Sequence, residues 1–265
     1  MCSHWSVPHD FTTRRALQPG APDECVTNIT RRSALALLAG VLATAADGAG
    51  VRADALPTEV AGVTIPNTAL TRSAARLARS ACPDFLFNHC LRTYLLGALS
   101  LEAQRLDFDA ELAFTAAALH DLGLLPAFAT PHGSFEIDGA NRAEALLREA
   151  GRPARQGRLV WNAIVTHDIR AEYAAHQSHE AQLVAAGAGA DVVDPGGLDH
   201  QAVDEIVSAF PRLQFKTRFT TLLVDHCRRK PTVQMGWLDG LCRMTSPDAA
   251  RGDVPRAIAQ APYSE

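Results

Sequence analysis

From residue 68 to residue 229 the apolar residues recur at three- and four-residue spacing, and nowhere do they alternate convincingly with polar ones. That period belongs to helices with one buried face, so the chain is expected to be all-α. The spacing predicts helices over Thr68–Ala81, Phe85–Leu101, Asp109–Asp121, Gly139–Glu149, Arg155–His167, Glu180–Asp194, His200–Phe210 and Phe215–Arg229. Punctuation agrees with several of these. Asp138 is placed to cap the fourth helix, Gly151 to end it with Pro153 just beyond, and Pro211 and Pro231 follow the last two. An aromatic content of only 6% suits closely packed small-residue helices.

Some positions on these apolar faces are polar. His89 shares a stripe with Phe85, Leu86 and Leu96, and Arg92 and Thr93 flank the same face. The third predicted helix is almost wholly apolar from Leu112 to Leu119, then ends in His120-Asp121, with Gly123 available to turn the chain. Asp191 shares a face with Leu183, Val184, Gly187 and Ala188. Gly187 and Gly189 inside this helix each cost about 1 kcal/mol relative to Ala, which close approach of a neighbouring backbone would explain. A carboxylate buried without a counter-charge is expensive. Two carboxylates and two imidazoles turned into one core are best satisfied together by a divalent cation. His89, His120, Asp121 and Asp191 are therefore the expected ligands of one metal ion, and mixed nitrogen and oxygen ligation suits Zn²⁺, Fe²⁺ or Mn²⁺, with Zn²⁺ or Fe²⁺ favoured. His167, inward-facing with Val160, Ala163 and Ile164, is a candidate proton carrier, and Arg92, Thr93 and His167 are candidates for substrate contact.

The ordered set His89, His120-Asp121 and Asp191 resembles the ligand pattern of the HD superfamily of metal-dependent hydrolases. Phe87-Asn88-His89-Cys90-Leu91-Arg92-Thr93-Tyr94, Leu119-His120-Asp121-Leu122-Gly123, Phe135-Glu136-Ile137-Asp138-Gly139-Ala140-Asn141 and Cys227-Arg228-Arg229-Lys230-Pro231 resemble its cyanamide hydratase-like branch. The resemblance spans about residues 70–231. It implies an HD-type helical bundle, metal ligation by those four residues, a role for Asp121 in taking a proton from water, and hydration of a small neutral nitrile-like molecule. Phosphohydrolases of the superfamily carry a Lys where this chain has Leu124. Two-metal branches have a His where it has Phe135. Both differences favour one metal and an uncharged substrate. The alternatives are phosphomonoester hydrolysis with Arg92 holding the phosphate, and a non-catalytic module with a structural metal.

A net charge of -4 argues against nucleic acid as a partner, leaving a small molecule. The six cysteines form no CxxC pair and indicate no disulfide framework. Residues 1–55 have the marks of an export leader. Thr30-Arg31-Arg32-Ser33 precedes the apolar run Ala34–Ala43, and Ala53-Asp54-Ala55 offers a cleavage site, as in twin-arginine signals. The expected organisation is thus a leader over 1–55, an HD domain over 56–240 and a loose tail over 241–265. Location would be periplasmic or exported without stable membrane association, with a cytoplasmic chain bearing an N-terminal extension as the alternative.

Overall fold

The structure, a computed structural model, describes residues 56–169, 171–230, 236, 238–245 and 258–263; the leader expected over 1–55 lies outside them. The fold is all-α, a helical bundle. It is entered through a two-stranded antiparallel hairpin, β1 (Glu59–Val60) and β2 (Val63–Thr64), paired Glu59 to Thr64 and Val60 to Val63. Two-residue strands are too short to leave an alternating signal. The helices are α1 (Ala69–Ala81), α2 (Asp84–Ala103), α3 (Ala110–Leu119), α4 (Phe135–Glu149), α5 (Ala154–Val165), α6 (Ala171–Ala174), α7 (His179–Val192), α8 (His200–Ala209), α9 (Phe215–Arg229) and α10 (Leu238–Met244). No helix among the described residues is long and apolar enough to cross a membrane.

The starts of these helices follow their capping residues. Thr68 and Thr71 form a capping box at α1, and the side chains of Asp109, Ser134 and Ser178 accept from the backbone at α3, α4 and α7. The fourth helix begins one turn earlier than its sequence suggested. Ser134 takes the capping role given to Asp138, and Asp138 is buried in the first turn. There its carboxylate accepts from Lys230 Nζ at 2.7 Å and from Thr130 N and Oγ1 at 2.8 and 2.6 Å.

Helices α2 and α7 form the central antiparallel pair, and glycines bring their backbones together. A Cβ on Gly187 would lie 1.8 Å from Thr93 O, and one on Gly97 would lie 2.2 Å from Leu183 O. Moving one turn along each helix, in opposite directions from the Thr93–Gly187 contact, arrives at His89 and Asp191. The crossing therefore sets these two polar residues opposite each other in the core. Gly123 has a similar role at the end of α3, where its missing Cβ would meet Phe135 O at 1.9 Å. The sharp turn expected there is a 3₁₀ turn over Leu122–Leu124, pressed against the first turn of α4.

Gly189 departs from expectation: nothing lies within 4 Å of a Cβ built on it, so close packing does not account for it. The described part of 241–265 also differs from a loose tail. Leu241, Cys242, Ile258, Ala261 and Tyr263 are buried, and Tyr263 Oη donates to Ala190 O at 2.5 Å. Cys227 and Cys242 are joined by a disulfide, because α10 folds back against α9 and closes a separation of 15 residues that carries no local sequence signal.

The two glycines of α7 should respond oppositely to alanine. Gly187→Ala forces Thr93 O to retreat at the central crossing and is expected to cost about 2–4 kcal/mol, in the range of other core steric changes. Gly189→Ala fills open space in a helix and should stabilise by about 0.5–1 kcal/mol. Urea unfolding followed by circular dichroism measures both. Equal effects would contradict the crossing geometry.

Candidate metal centre

Three histidines present the same face to one carboxylate. His120 caps the end of α3, and its Nδ1 donates to Ala117 O at 2.8 Å. His167 follows the end of α5 and donates in the same way to Ile164 O at 2.6 Å. A carbonyl oxygen can only accept, so both rings carry hydrogen on Nδ1 and turn the Nε2 lone pair inward. His89, from α2, places Nδ1 2.7 Å from Asp191 Oδ2, which orients its Nε2 in the same sense. The Nε2 atoms of His89 and His120 both lie 3.4 Å from Asp121 Oδ2, and that of His167 lies 3.9 Å from Asp121 Oδ1.

These residues fit a divalent cation. Donor atoms of His89, His120 and Asp121 lie within 4.8 Å of one another, and all three residues are buried. Asp121 Oδ2 is a buried oxygen with no hydrogen-bond partner. Burial would raise the Asp121 carboxyl, yet the neighbouring His120 and His89 outweigh it and hold the group well below the usual carboxylate range. His120 stays neutral because burial, helped by His167 and His89, pushes its pKa down to about 3. Burial also opposes protonation of His89, but the carboxylates of Asp121 and Asp191 beside it hold its pKa above the ordinary range. With Nδ1 committed to Asp191, a proton taken up by His89 sits on Nε2. Phe215 stacks on the His89 ring at 4.8 Å, so the cluster is walled by hydrocarbon.

Asp191, expected as the fourth ligand, is placed differently. Its Oδ1 accepts from Arg92 Nε and Arg212 Nη1, each at 2.7 Å, and its Oδ2 accepts from Arg92 Nη2 at 2.8 Å as well as facing His89. Four partners fill the lone-pair sites of a carboxylate. Asp191 stands behind His89 as its orienting group, whereas His167 Nε2 lies 3.9 Å from Asp121 Oδ1. Charge from Arg92 and hydrogen bonding to His89 overcome burial and keep Asp191 ionised.

Arg92 is correspondingly unavailable to substrate. It is fully buried, and its remaining Nη1 donates to Phe210 O and Pro211 O at 2.8 and 3.3 Å. Thr93 is buried in the α2–α7 contact. Neither residue, nor Asp191, lines the cavity of about 480 Å³ that opens above the cluster, whereas His89, His120, Asp121, His167 and Asp168 do.

Sequence reasoning passed over Arg212, Glu136 and Asp168. Arg212 lies in the α8–α9 connection, where no periodicity marks it, and sits between the rings of Phe215 at 4.8 Å and Tyr263 at 4.1 Å. Asp168 did have a signal, since His167-Asp168 repeats the His120-Asp121 doublet at the end of a second helix. Its two oxygens and those of Glu136 are buried without hydrogen-bond partners. Burial, then the neighbouring charge of Asp168, pushes Glu136 up to about 8.

Two outcomes follow from this arrangement. Asp121→Asn should remove metal binding while shifting the melting temperature of the metal-free protein little. Asp191→Asn should instead destabilise the metal-free protein by about 3–5 kcal/mol, because it strands the buried charge of Arg92. Equilibrium unfolding with metal titration separates the two, and a mild Asp191→Asn would refute the orienting role. Glu136 sets a pH dependence. The unfolded chain loses this proton near 4.5 and the folded chain keeps it to about pH 8, so Glu136 lowers stability as pH rises through that interval. Glu136→Gln should therefore melt higher than the native protein at pH 8 and much closer to it at pH 5.

No curated protein matches this chain. Residues 86–194, from the first turn of α2 to just past α7, match the family model described as HD domain, and this span contains His89, His120, Asp121 and His167. Over these residues the chain carries an HD domain, a helical bundle whose members are typically metal-dependent hydrolases.

Proposed function

We propose that the protein is a metal-dependent hydrolase or hydratase acting on a small neutral molecule of the nitrile or cyanamide type. The observation that carries this reading is a buried donor cluster at the floor of an apolar cavity whose described lining residues include no Lys or Arg. A phosphate ester would have to leave its charge unmatched against such walls. Arg92, the one residue proposed to hold phosphate, is spent on Asp191 and two carbonyls. Leu124, where a phosphate-binding Lys would stand, is fully buried. The cavity also favours catalysis over a purely structural metal, which needs no access from outside.

His89, His120 and Asp121 would hold one divalent ion, with Zn²⁺ or Fe²⁺ suited to this donor set. When bound, such an ion supplies Lewis acidity and a water activated near neutral pH. The protein's own groups do the remainder. Asp121 and the Nε2 of His167 are acceptors at the floor of the cavity, positioned to take a proton from water. In hydration, the water oxygen bonds to the nitrile carbon and one proton goes to nitrogen. The C≡N group becomes an amide, and a second proton transfer completes it with no leaving group. The hydrocarbon around the floor keeps other water away.

We also propose that the chain works in an oxidising compartment after export. The twin-arginine-like leader suggests this, and the Cys227–Cys242 disulfide supports it, because such bonds persist outside the cytosol. The functional test is metal analysis of the purified protein, then kcat/KM for cyanamide and simple nitriles against nucleoside monophosphates on one metal-loaded preparation. Neutral substrates should lead by at least tenfold, about 1.4 kcal/mol of transition-state preference. Nucleotides leading by that margin would overturn the reading.

A further inference from the structure

We propose that the substrate of this site carries an apolar arm beyond its reacting group, and that the arm lies along α7 toward Gly189 and Val193. The inference rests on the neutral-substrate reading above and deepens it. Cyanamide has three heavy atoms. At roughly 30 Å³ each, the volume of one liquid water, it would occupy about 100 Å³. The cavity holds about 480 Å³, within the range of pockets that enclose much larger ligands.

The titratable groups that line the cavity, His89, His120, Asp121, His167 and Asp168, sit around the donor cluster at one end. There Asp121, 1% exposed, turns an unpartnered oxygen inward among the three imidazoles. Away from that floor the walls are mostly apolar, with Ala185, Ala188 and Val192 of α7, Phe219 and Leu223 of α9 and Leu238 of α10, and the uncharged side chains of Gln104 and Gln182 among them. A charged arm would lose solvation there without a counter-charge among the described lining residues beyond the floor. An arm of roughly six to ten heavy atoms, aliphatic or aryl, would take up about half to four-fifths of the remaining space at about 30 Å³ per atom.

Gly189 gives the independent indication. It lies inside α7, where glycine costs about 1 kcal/mol relative to alanine. Its φ is not positive, and a Cβ would meet nothing within 4 Å, so neither backbone conformation nor packing calls for it. It lines the cavity at its exposed edge, one turn before Val193, which is itself 48% exposed. What the missing side chain leaves is room at the mouth. An apolar arm passing there would also cover Val193, one of the few large apolar side chains left in water among the described residues.

The test uses the full-length, metal-loaded protein. kcat/KM is measured for acetonitrile, butyronitrile, hexanenitrile and phenylacetonitrile, and values should rise about fourfold per added methylene. In Gly189→Leu, the ratio of hexanenitrile to acetonitrile should fall at least tenfold, with a melting temperature no lower than the native protein's. Calorimetric binding of hexanamide and acetamide gives a readout independent of turnover. Hexanamide should bind at least tenfold tighter, and Gly189→Leu should erase the difference. If no nitrile is hydrated but the amides behave in this way, the hydratase reading fails and the arm stands. A flat nitrile series, equal amide affinities, or a Gly189→Leu variant that keeps the native ratio would overturn the arm.

Discussion

The backbone contact between α2 and α7 is the constraint on which the centre depends. Gly97 and Gly187 let the helices meet at Leu183 O and Thr93 O, nearer than any side chain would permit. One turn beyond, the same approach brings His89 and Asp191 to 2.7 Å. Helices held farther apart by β-carbons would leave a gap there, and a buried carboxylate would face Arg92 and Arg212 without its histidine. The helix-propensity cost of Gly187 is thus offset by a network that orients the first histidine of the centre.

From that network outward, orientation is supplied from behind each ring. Asp191 holds His89, while the carbonyls of Ala117 and Ile164 hold His120 and His167. All three groups are acceptors, so each ring is fixed as a donor at Nδ1 and presents Nε2 to the cavity. The two carbonyls lie three residues before their histidines, at the ends of helices, where unpaired carbonyls are in ready supply. The turn that bears Asp121 is steadied from the far side. Arg229 Nη2 donates to Leu124 O at 2.8 Å, and Lys230 pairs with Asp138 in the opening turn of α4. That gives a structural purpose to the Cys227–Lys230 segment, which the sequence marks only by its resemblance to relatives.

The segments that close over this core come from late in the chain. Tyr263 lies over Arg212 and bonds Ala190 O, and the Cys227–Cys242 disulfide ties α10 to α9. Phe219, Leu223 and Leu238 thereby become walls of the cavity. An arginine held between two aromatic rings keeps its charge while losing water, which suits its place beside Asp191.

The sequence by itself determined the class of fold and the content of the floor of the site. Helical periodicity is a local property, and it located the long helices to within a few residues, from α1 to α9. His89 and His120-Asp121 stood out because polar groups on apolar stripes need a reason. Asp191 shows where that reasoning stops. Its burial was legible, but its partners Arg92 and Arg212 lie 99 and 21 residues away in sequence. Only the packing shows that they fill its lone pairs and turn an expected ligand into an orienting group. Gly187 and Gly189 make the same point two residues apart. The code is identical at both, yet one faces Thr93 O and the other open space. Which way each residue of a helix points relative to its neighbours is decided by tertiary contacts, because helix periodicity defines a face without saying what lies against it.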